Sequence, residues 1–126
     1  MDSIEVLLEK QAYLRKHLSH PGISFQYHNV HISYLEAILA RGDRRLAATI
    51  ARAVDLGCQF DSWHECFDFK LWEQALQDTN IDGNYFANRQ RAKDEILPWD
   101  HIKCGESKGY LWREREKAFK DKTTHD

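Results

Sequence analysis

Apolar residues recur at helical spacing along most of this chain, and the first such pattern covers residues 3–19. Large apolar side chains fall near one face of the predicted helix, while charged side chains occupy the other faces. Pro21 and Gly22 follow this pattern and end the helix. The predicted apolar face consists of Ile4, Leu7, Leu8, Leu14 and Leu18.

A different period follows at residues 23–28, where Ile23, Phe25 and Tyr27 alternate with polar residues. Alternation with a period of two predicts a short β-strand. A lone strand leaves its backbone N–H and C=O groups unpaired, so this strand must pair with a neighbour. One alternative is a partner strand outside this chain.

The second predicted helix is marked by the spacing of Ser33 and Glu36, which matches the S-x-x-E capping box ahead of an apolar stretch. This spacing predicts a helix that runs to about Arg41. Gly42 follows directly and is interpreted as a terminator in the left-handed backbone conformation.

A third helix is predicted over residues 44–56, with Asp43 as its N-cap and Gly57 at its end. Apolar residues at helical spacing give this helix one buried stripe. The stripe consists of Leu46, Ile50, Ala53 and Val54.

Two further helices are predicted in the second half of the chain, over residues 69–78 and 108–120. Asp68 and Ser107 precede them, and both are favoured N-cap residues. Residues 79–106 between them are predicted to be mostly irregular. The first of these helices buries Leu71, Trp72, Ala75 and Leu76, and the second carries Leu111, Trp112, Ala118 and Phe119 on one side.

These elements predict a mainly α fold (α+β class) with about five helices and one or two short strands. The chain has 126 residues, which is the size of one domain, so residues 1–126 are predicted to form a single domain. A globule of this length buries roughly two-thirds of its unfolded surface and needs no disulfides to form a core. Trp63, Trp72, Trp99 and Trp112 are interpreted as anchors of that core.

Composition narrows the range of partners and compartments. Lys and Arg number 18 against 20 Asp and Glu, which gives a net charge of -2 and argues against a nucleic acid as the main partner. No apolar run approaches the roughly 20 residues that span a bilayer, so no membrane partner is predicted. Three cysteines do not form a disulfide framework, and we expect a reducing, cytoplasmic environment.

The string ARGDRRL at residues 40–46 is the most unusual in the chain and has two interpretations. In the favoured one it is a corner between two helices, in which Gly42 ends the first helix and Asp43 caps the second. These two roles explain both residues completely. In the other, Arg41, Arg44 and Arg45 bind an anion beside a helix N-terminus.

Two weaker signals concern histidine and cysteine. His28 follows the predicted strand, where a histidine is either a base or ligand presented to a site or simply a packed imidazole. Several Cys and His residues could bind zinc by type, but their spacings do not match the paired C-x2-C pattern, so no metal site is predicted. These residues are Cys58, His64, Cys66, His101 and Cys104.

Three strings, taken in order, resemble one known family. They are YHNVHISYLEAILARGDRRL at 27–46, LGCQFDSWHECFDFKLWEQAL at 56–76 and LPWDHIKCGESKGYLWRE at 97–114. Together they resemble the C-terminal stretch of a radical SAM protein family that has an N-terminal cobalamin-binding-type domain. Its members are often described as Fe–S oxidoreductases. The resemblance covers roughly residues 5–124, and the ordered series is more specific than any one string.

The resemblance implies that the chain is the C-terminal region of a larger enzyme. The family holds a [4Fe-4S] cluster on a C-x3-C-x2-C loop, and the open iron binds S-adenosylmethionine. This chain lacks that motif, so cluster and S-adenosylmethionine are expected in the parent protein and no cofactor in this chain. Whether the parent also binds cobalamin stays open. The predicted strand 23–28 would then be the last strand of the parent α/β barrel or would pair at its edge.

The same resemblance suggests which residues line a substrate or cofactor site in the parent, without assigning their roles. These candidates are His28, Glu36, Arg41, Asp43, Arg44 and Arg45. The expected partner is the remainder of the parent chain, and an apolar patch that normally covers the barrel would let the isolated chain self-associate.

Two alternatives stay open beside this interpretation. The first is a free-standing helical module that binds a protein or an RNA through arginines on adjacent helices, because a basic face can exist despite the net charge. The arginines concerned are Arg41, Arg44, Arg45 and Arg52. The second alternative is a small metal site built from the three cysteines and nearby histidines.

Overall fold

The computed structural model describes residues 1–103 and 105–122, and in these ranges it contains six α-helices and no β-strand. The mainly α prediction is therefore confirmed, and the predicted strand is wrong for this chain. The helices are α1 (Ile4–His17), α2 (Val30–Arg41), α3 (Leu46–Asp55), α4 (Phe69–Asp78), α5 (Gly83–Ala87) and α6 (Lys108–Ala118). In the part of the chain that is described, no helix is both long and apolar enough to cross a bilayer.

Residue contacts divide the chain into two compact units. The first unit is Met1–Arg89 and contains α1 to α5, while the second begins at Gln90 and contains α6. The residues that are buried in the described ranges all belong to the first unit. Whether the two units fold as one domain stays a prediction.

Three helix boundaries agree with the sequence signals. The Asp68 carboxylate accepts the backbone N–H of Lys70 at 2.9 Å and starts α4. The Ser107 hydroxyl accepts the N–H of Tyr110 at 3.2 Å and starts α6. Beyond the end of α3, Gly57 has a φ of 102°, which is the left-handed conformation predicted for it.

Helix α2 begins one turn earlier than the capping-box spacing predicts. The side-chain oxygen of Asn29 accepts the N–H groups of His31 at 2.8 Å and Ile32 at 3.3 Å, so Asn29 is the N-cap. Ser33 lies inside the helix and donates its backbone N–H to the Asn29 carbonyl. The cap prediction for Ser33 is therefore wrong, because Asn29 offers an equally good cap upstream.

Gly42 ends α2, but not in the predicted left-handed conformation. Its φ of −77° and ψ of −174° are extended and open to any residue. Glycine is needed here for space, because a Cβ atom would collide with the Leu46 side chain and lie 2.7 Å from the Ile38 carbonyl oxygen. The close passage of the chain over α2 therefore explains this glycine.

Helix α3 begins at Leu46, two residues later than predicted, and its N-cap is Arg45, without a side-chain cap. The prediction that Asp43 caps this helix is therefore wrong, because Asp43 lies in the turn before the helix. The backbone N–H of Leu46 donates to the Asp43 carbonyl at 3.0 Å, as in a first helical turn. The predicted stripe of α3 is buried only in part. Leu46 and Ala53 are buried together with Thr49, whereas Ile50 and Val54 are exposed.

Residues 18–29 connect α1 to α2 without regular structure. The rings of Phe25 and Tyr27 stack at 5.3 Å, and Ile23 and Tyr27 are exposed. The alternating pattern does not produce a strand, because no second strand in residues 1–103 and 105–122 can pair with this segment.

The core of the first unit consists of two clusters that meet on α2. The first cluster contains Tyr34, Ile38, Leu46, Leu76, Phe86 and Ala87. The second contains Leu35, Ala53, Cys58, Trp72 and Ala75. Helix α4 also contributes to both clusters. Its buried residues Trp72, Ala75 and Leu76 lie on the face that the sequence predicts to be buried. Between α3 and the end of α4, the buried Thr49 hydroxyl pairs with that of Thr79 at 2.7 Å.

Helices α1 and α6 bury no residue fully, although both carry the apolar faces that the sequence predicts. Leu8 and Leu14 of α1 are exposed, as are Leu111 of α6 and Phe119 just beyond it. The prediction that all four tryptophans anchor the core is also wrong. Trp72 is 6% exposed, but Trp63 is 59% exposed, Trp99 is exposed and Trp112 is half-buried.

Replacement of the buried tryptophan tests this core. Trp72→Ala should lower the free energy of unfolding by about 3–5 kcal/mol, because it leaves a large cavity in the second cluster. Trp63→Ala removes the same side chain from the surface and should change the free energy of unfolding by less than about 0.5 kcal/mol. Urea unfolding followed by circular dichroism measures both. Equal effects of the two substitutions would contradict the assignment of the core.

Candidate functional site

The string ARGDRRL forms the turn between α2 and α3, and the turn packs against α5. We call residues 41–45 the arginine corner. Three of its side chains have defined partners in the first unit, and those partners decide what the corner can do chemically.

Arg41 binds the C-terminal end of α5. Its guanidinium group donates to the carbonyl oxygens of Ala87 at 2.7 Å and Arg89 at 2.6 Å. A cation at this position satisfies carbonyls that have no partner inside the helix and interacts favourably with the helix dipole. Arg41 therefore fixes α5 to the end of α2.

Asp43 and Arg45 form a bidentate ion pair inside the corner. The Nε atom of Arg45 lies 2.9 Å from Oδ1 of Asp43, and Nη2 lies 2.7 Å from Oδ2. The same Oδ1 atom accepts the backbone N–H of Arg45 at 2.9 Å. These hydrogen bonds from Arg45 lower the pKa of Asp43 from 3.8 to about 2. Asp43 is therefore an ionised carboxylate that holds the arginine, and not an acid that could donate a proton near neutral pH.

The exposed side of the corner presents arginine and aromatic groups. The guanidinium carbon of Arg45 lies 5.5 Å from the ring centre of Tyr85 and 5.1 Å from that of Phe86. Arg89 lies 4.5 Å from the Tyr85 ring, so two guanidinium groups contact one tyrosine. Arg44 is exposed, and its side chain forms no hydrogen bond or ion pair with any residue in the described ranges. Its guanidinium group could bind an anion.

His28 and Glu36, the other two candidates from the sequence, lie away from the corner. His28 precedes the first turn of α2, and its carbonyl oxygen accepts the side-chain amide of Gln11 at 2.9 Å. The corner follows the last turn of this helix of 12 residues, which has a length of about 18 Å. Glu36 is exposed on α2 between them. A role for all six residues around one substrate stays a prediction.

Sequence reasoning missed α5, whose residues complete the corner. Asp82 caps this helix by accepting the N–H of Asn84 at 2.9 Å, so an aspartate before the Gly83-Asn84 pair was the available signal. The hydroxyl of Tyr34 donates to the Asn84 side chain at 2.8 Å, across 50 residues of sequence. No local pattern indicates that bond.

The thiol groups have separate surroundings. Cys58 belongs to the second core cluster, and burial raises the pKa of its thiol. Cys66 is exposed, and Cys104 lies outside the described residues. In residues 1–103 and 105–122, no group of three His, Cys, Asp or Glu residues is arranged to hold a metal ion.

No family model matches the chain, and no curated protein or solved structure is significantly similar to it. The resemblance of the strings at 27–46, 56–76 and 97–114 to radical SAM proteins therefore stays a prediction from those residues.

Two arginines of the corner provide a matched pair of substitutions. Arg41→Ala should lower the free energy of unfolding by about 1.5–3 kcal/mol, because it removes charge-assisted hydrogen bonds from the end of α5. Arg44→Ala should change it by less than about 0.5 kcal/mol, because Arg44 is a surface residue. Denaturant unfolding gives both values. If Arg41→Ala is as harmless as Arg44→Ala, the two carbonyl contacts do not hold α5.

The ion pair of the corner predicts a pH dependence. Because the pKa of Asp43 is lower in the folded state than its ordinary value, the pair stabilises the fold above about pH 4 and this stability is lost as the pH falls through 2. Asp43→Asn should therefore reduce the loss of unfolding free energy between about pH 4 and pH 2. Asp55→Asn, a change to an exposed carboxylate at the end of α3, should keep the wild-type slope. Unfolding in urea at a series of pH values measures the slopes.

Proposed function

We propose that residues 1–126 form the C-terminal region of a radical SAM Fe–S oxidoreductase and follow the α/β barrel that binds the [4Fe-4S] cluster and S-adenosylmethionine. The region does not catalyse a reaction alone. Its role is to close the barrel or to position the substrate, and the preceding barrel supplies the radical chemistry.

The ordered series of three strings carries this proposal. The first string contains all of α2 and the arginine corner, and the second contains the buried Cys58 and most of α4. The third includes Ser107, the N-cap of α6, and the first part of that helix. Each string thus includes residues that define an element of the fold, and their order along the chain is what resembles the family.

The cysteines support the division of labour between this region and the barrel. A [4Fe-4S] cluster with one open iron needs three thiolates that converge on it. Cys58 lies in the core, Cys66 is exposed, and the chain has no C-x3-C-x2-C string. When bound in the parent, the cluster would supply the electron that cleaves S-adenosylmethionine. This region would offer an exposed arginine, Arg44, to an anionic group of the substrate or cofactor.

Exposed apolar side chains indicate where the remainder of the parent chain would pack. Helix α1 has no fully buried residue, and Val6, Leu8, Tyr13 and Leu14 along it are exposed. The irregular segment that follows exposes Ile23 and Tyr27. Neighbouring exposed apolar groups are typical of a surface that another segment covers. In the parent, we expect residues 23–28 to pair with a strand of the barrel.

The RNA-binding alternative has less support, because several of its arginines are already partnered. Arg41 donates to two carbonyl groups, Arg45 pairs with Asp43, and Arg52 lies 2.6 Å from a carboxylate oxygen of Asp78. Paired guanidinium groups contribute little to the phosphate contacts that dominate nucleic-acid affinity.

The gene itself gives the first test. Sequencing of the native reading frame across both ends of this region should reveal a C-x3-C-x2-C string upstream in the same frame. The whole product, reconstituted anaerobically with iron and sulfide, should then convert S-adenosylmethionine to 5′-deoxyadenosine under reducing conditions. A frame without that string would contradict the proposal, and so would a whole product that forms no 5′-deoxyadenosine.

The isolated chain should self-associate through α1, because its apolar face lacks the cover that the parent would provide. We expect the double substitution Leu8→Ser and Leu14→Ser, at two exposed positions of this face, to reduce both self-association and the binding of a hydrophobic dye. Val54→Ser removes an exposed apolar side chain from α3 and should leave both unchanged. Sedimentation velocity and dye fluorescence measure these effects. A monomer that binds no dye would contradict this prediction.

A further inference from the structure

A cleft of about 460 Å³ opens in the first unit between α1, α2, α4 and α5. This volume lies within the range of small-molecule sites in proteins. Part of its lining is apolar and comes from Ile4, Phe69 and Leu76. The other lining residues are polar, and all four helices or the residues next to them contribute to this polar part. The cleft is separate from the arginine corner.

The charged residues of the cleft are all acidic. Glu5 at the start of α1 and Glu73 on α4 line it, and no lysine or arginine does. The Ser3 hydroxyl and a backbone N–H lower the pKa of Glu5, so this carboxylate is ionised at neutral pH. Burial raises the pKa of Tyr34, and the negative charges of Asp82, Glu73 and Glu5 raise it further. The carboxylates therefore act together on the phenol group in the cleft wall.

Aromatic rings and amide groups provide the other features of the cleft. The ring of Tyr34 meets that of Phe69 edge to face at 6.0 Å, and its hydroxyl is fixed by the hydrogen bond to Asn84. Asn88 uses its side-chain N–H groups on the carbonyls of Met1 and Asp2. The side-chain oxygen of Asn88 is left as a buried acceptor that has no partner in the described ranges.

We propose that this cleft binds a small organic ammonium ion, with its charge near Glu5 and Glu73 and its apolar body against Ile4, Phe69 and Leu76. Ammonium groups are attracted both by carboxylates and by the faces of aromatic rings. An anionic ligand would be repelled by the two carboxylates. A neutral ligand would gain only the apolar contact. The proposal does not depend on the radical SAM assignment, because it is argued only from the residues that line the cleft.

Three probes of similar shape and different charge test the proposal on the whole chain. Phenethylamine is the cation, 2-phenylethanol is its neutral counterpart and 3-phenylpropionate is the anion. A ¹H–¹⁵N NMR titration should show saturable shifts for phenethylamine at the amides of Glu5, Glu73 and Asn84. The neutral probe should bind about two- to fivefold more weakly for each carboxylate that contacts the ammonium group. Equal binding of the alcohol or the acid would overturn the proposal, as would saturable shifts confined to other residues.

A matched pair of substitutions locates the charge. Glu73→Gln should weaken phenethylamine binding by about two- to fivefold and leave 2-phenylethanol binding unchanged. Glu65→Gln removes the same charge from an exposed turn outside the cleft and should change neither. Thermal melts of both variants check that the fold is intact. Equal effects of the two substitutions on phenethylamine binding would show that the attraction comes from net charge and not from the cleft.

Discussion

The packing of the first unit depends on α2, which together with α3 and α4 contributes to both core clusters. Tyr34 and Ile38 face the cluster that includes α5, while Leu35 faces the cluster that includes Cys58 and Trp72. Ile38, only 1% exposed, is among the most buried side chains in the described part of the chain. The burial of this helix on two sides fixes where α3, α4 and α5 can lie.

Two close approaches to α2 restrict the sequence further. Gly42 passes over Leu46 and the Ile38 carbonyl, and Gly83 starts α5 where a Cβ atom would lie 2.7 Å from the Tyr34 hydroxyl. Arg41 then closes the other end of α5. The residues that first suggested an anion site therefore also hold the helices together, and this dual role limits what the corner can do. Arg44 is the arginine of the corner whose side chain has no hydrogen bond or ion pair within the described residues.

Local signals in the sequence predicted the elements, and contacts between distant residues decided the rest. Asp68, Ser107 and Gly57 act within one turn of the backbone, so their roles could be predicted from the sequence. The burial of Trp72 and the exposure of Trp63 depend on which elements pack together, and no local pattern distinguishes them. The alternation of apolar and polar residues at 23–28 is typical of a β-strand, but the described residues contain no second strand to pair with it. The candidate site was predicted only in part, because α5 joins the corner from more than 40 residues away.

Residues 23–28 lack the strand partner that their sequence pattern calls for, and hydrogen exchange tests most directly whether the parent protein provides one. The measurement compares the amides of residues 23–28 in the isolated chain and in the whole product of its reading frame. If this segment pairs with a barrel, these amides, apart from that of Ile23, which donates to the His20 carbonyl, exchange freely in the isolated chain and become protected in the whole protein. Equal exchange in both would contradict the account, because the segment would then have no partner outside this region.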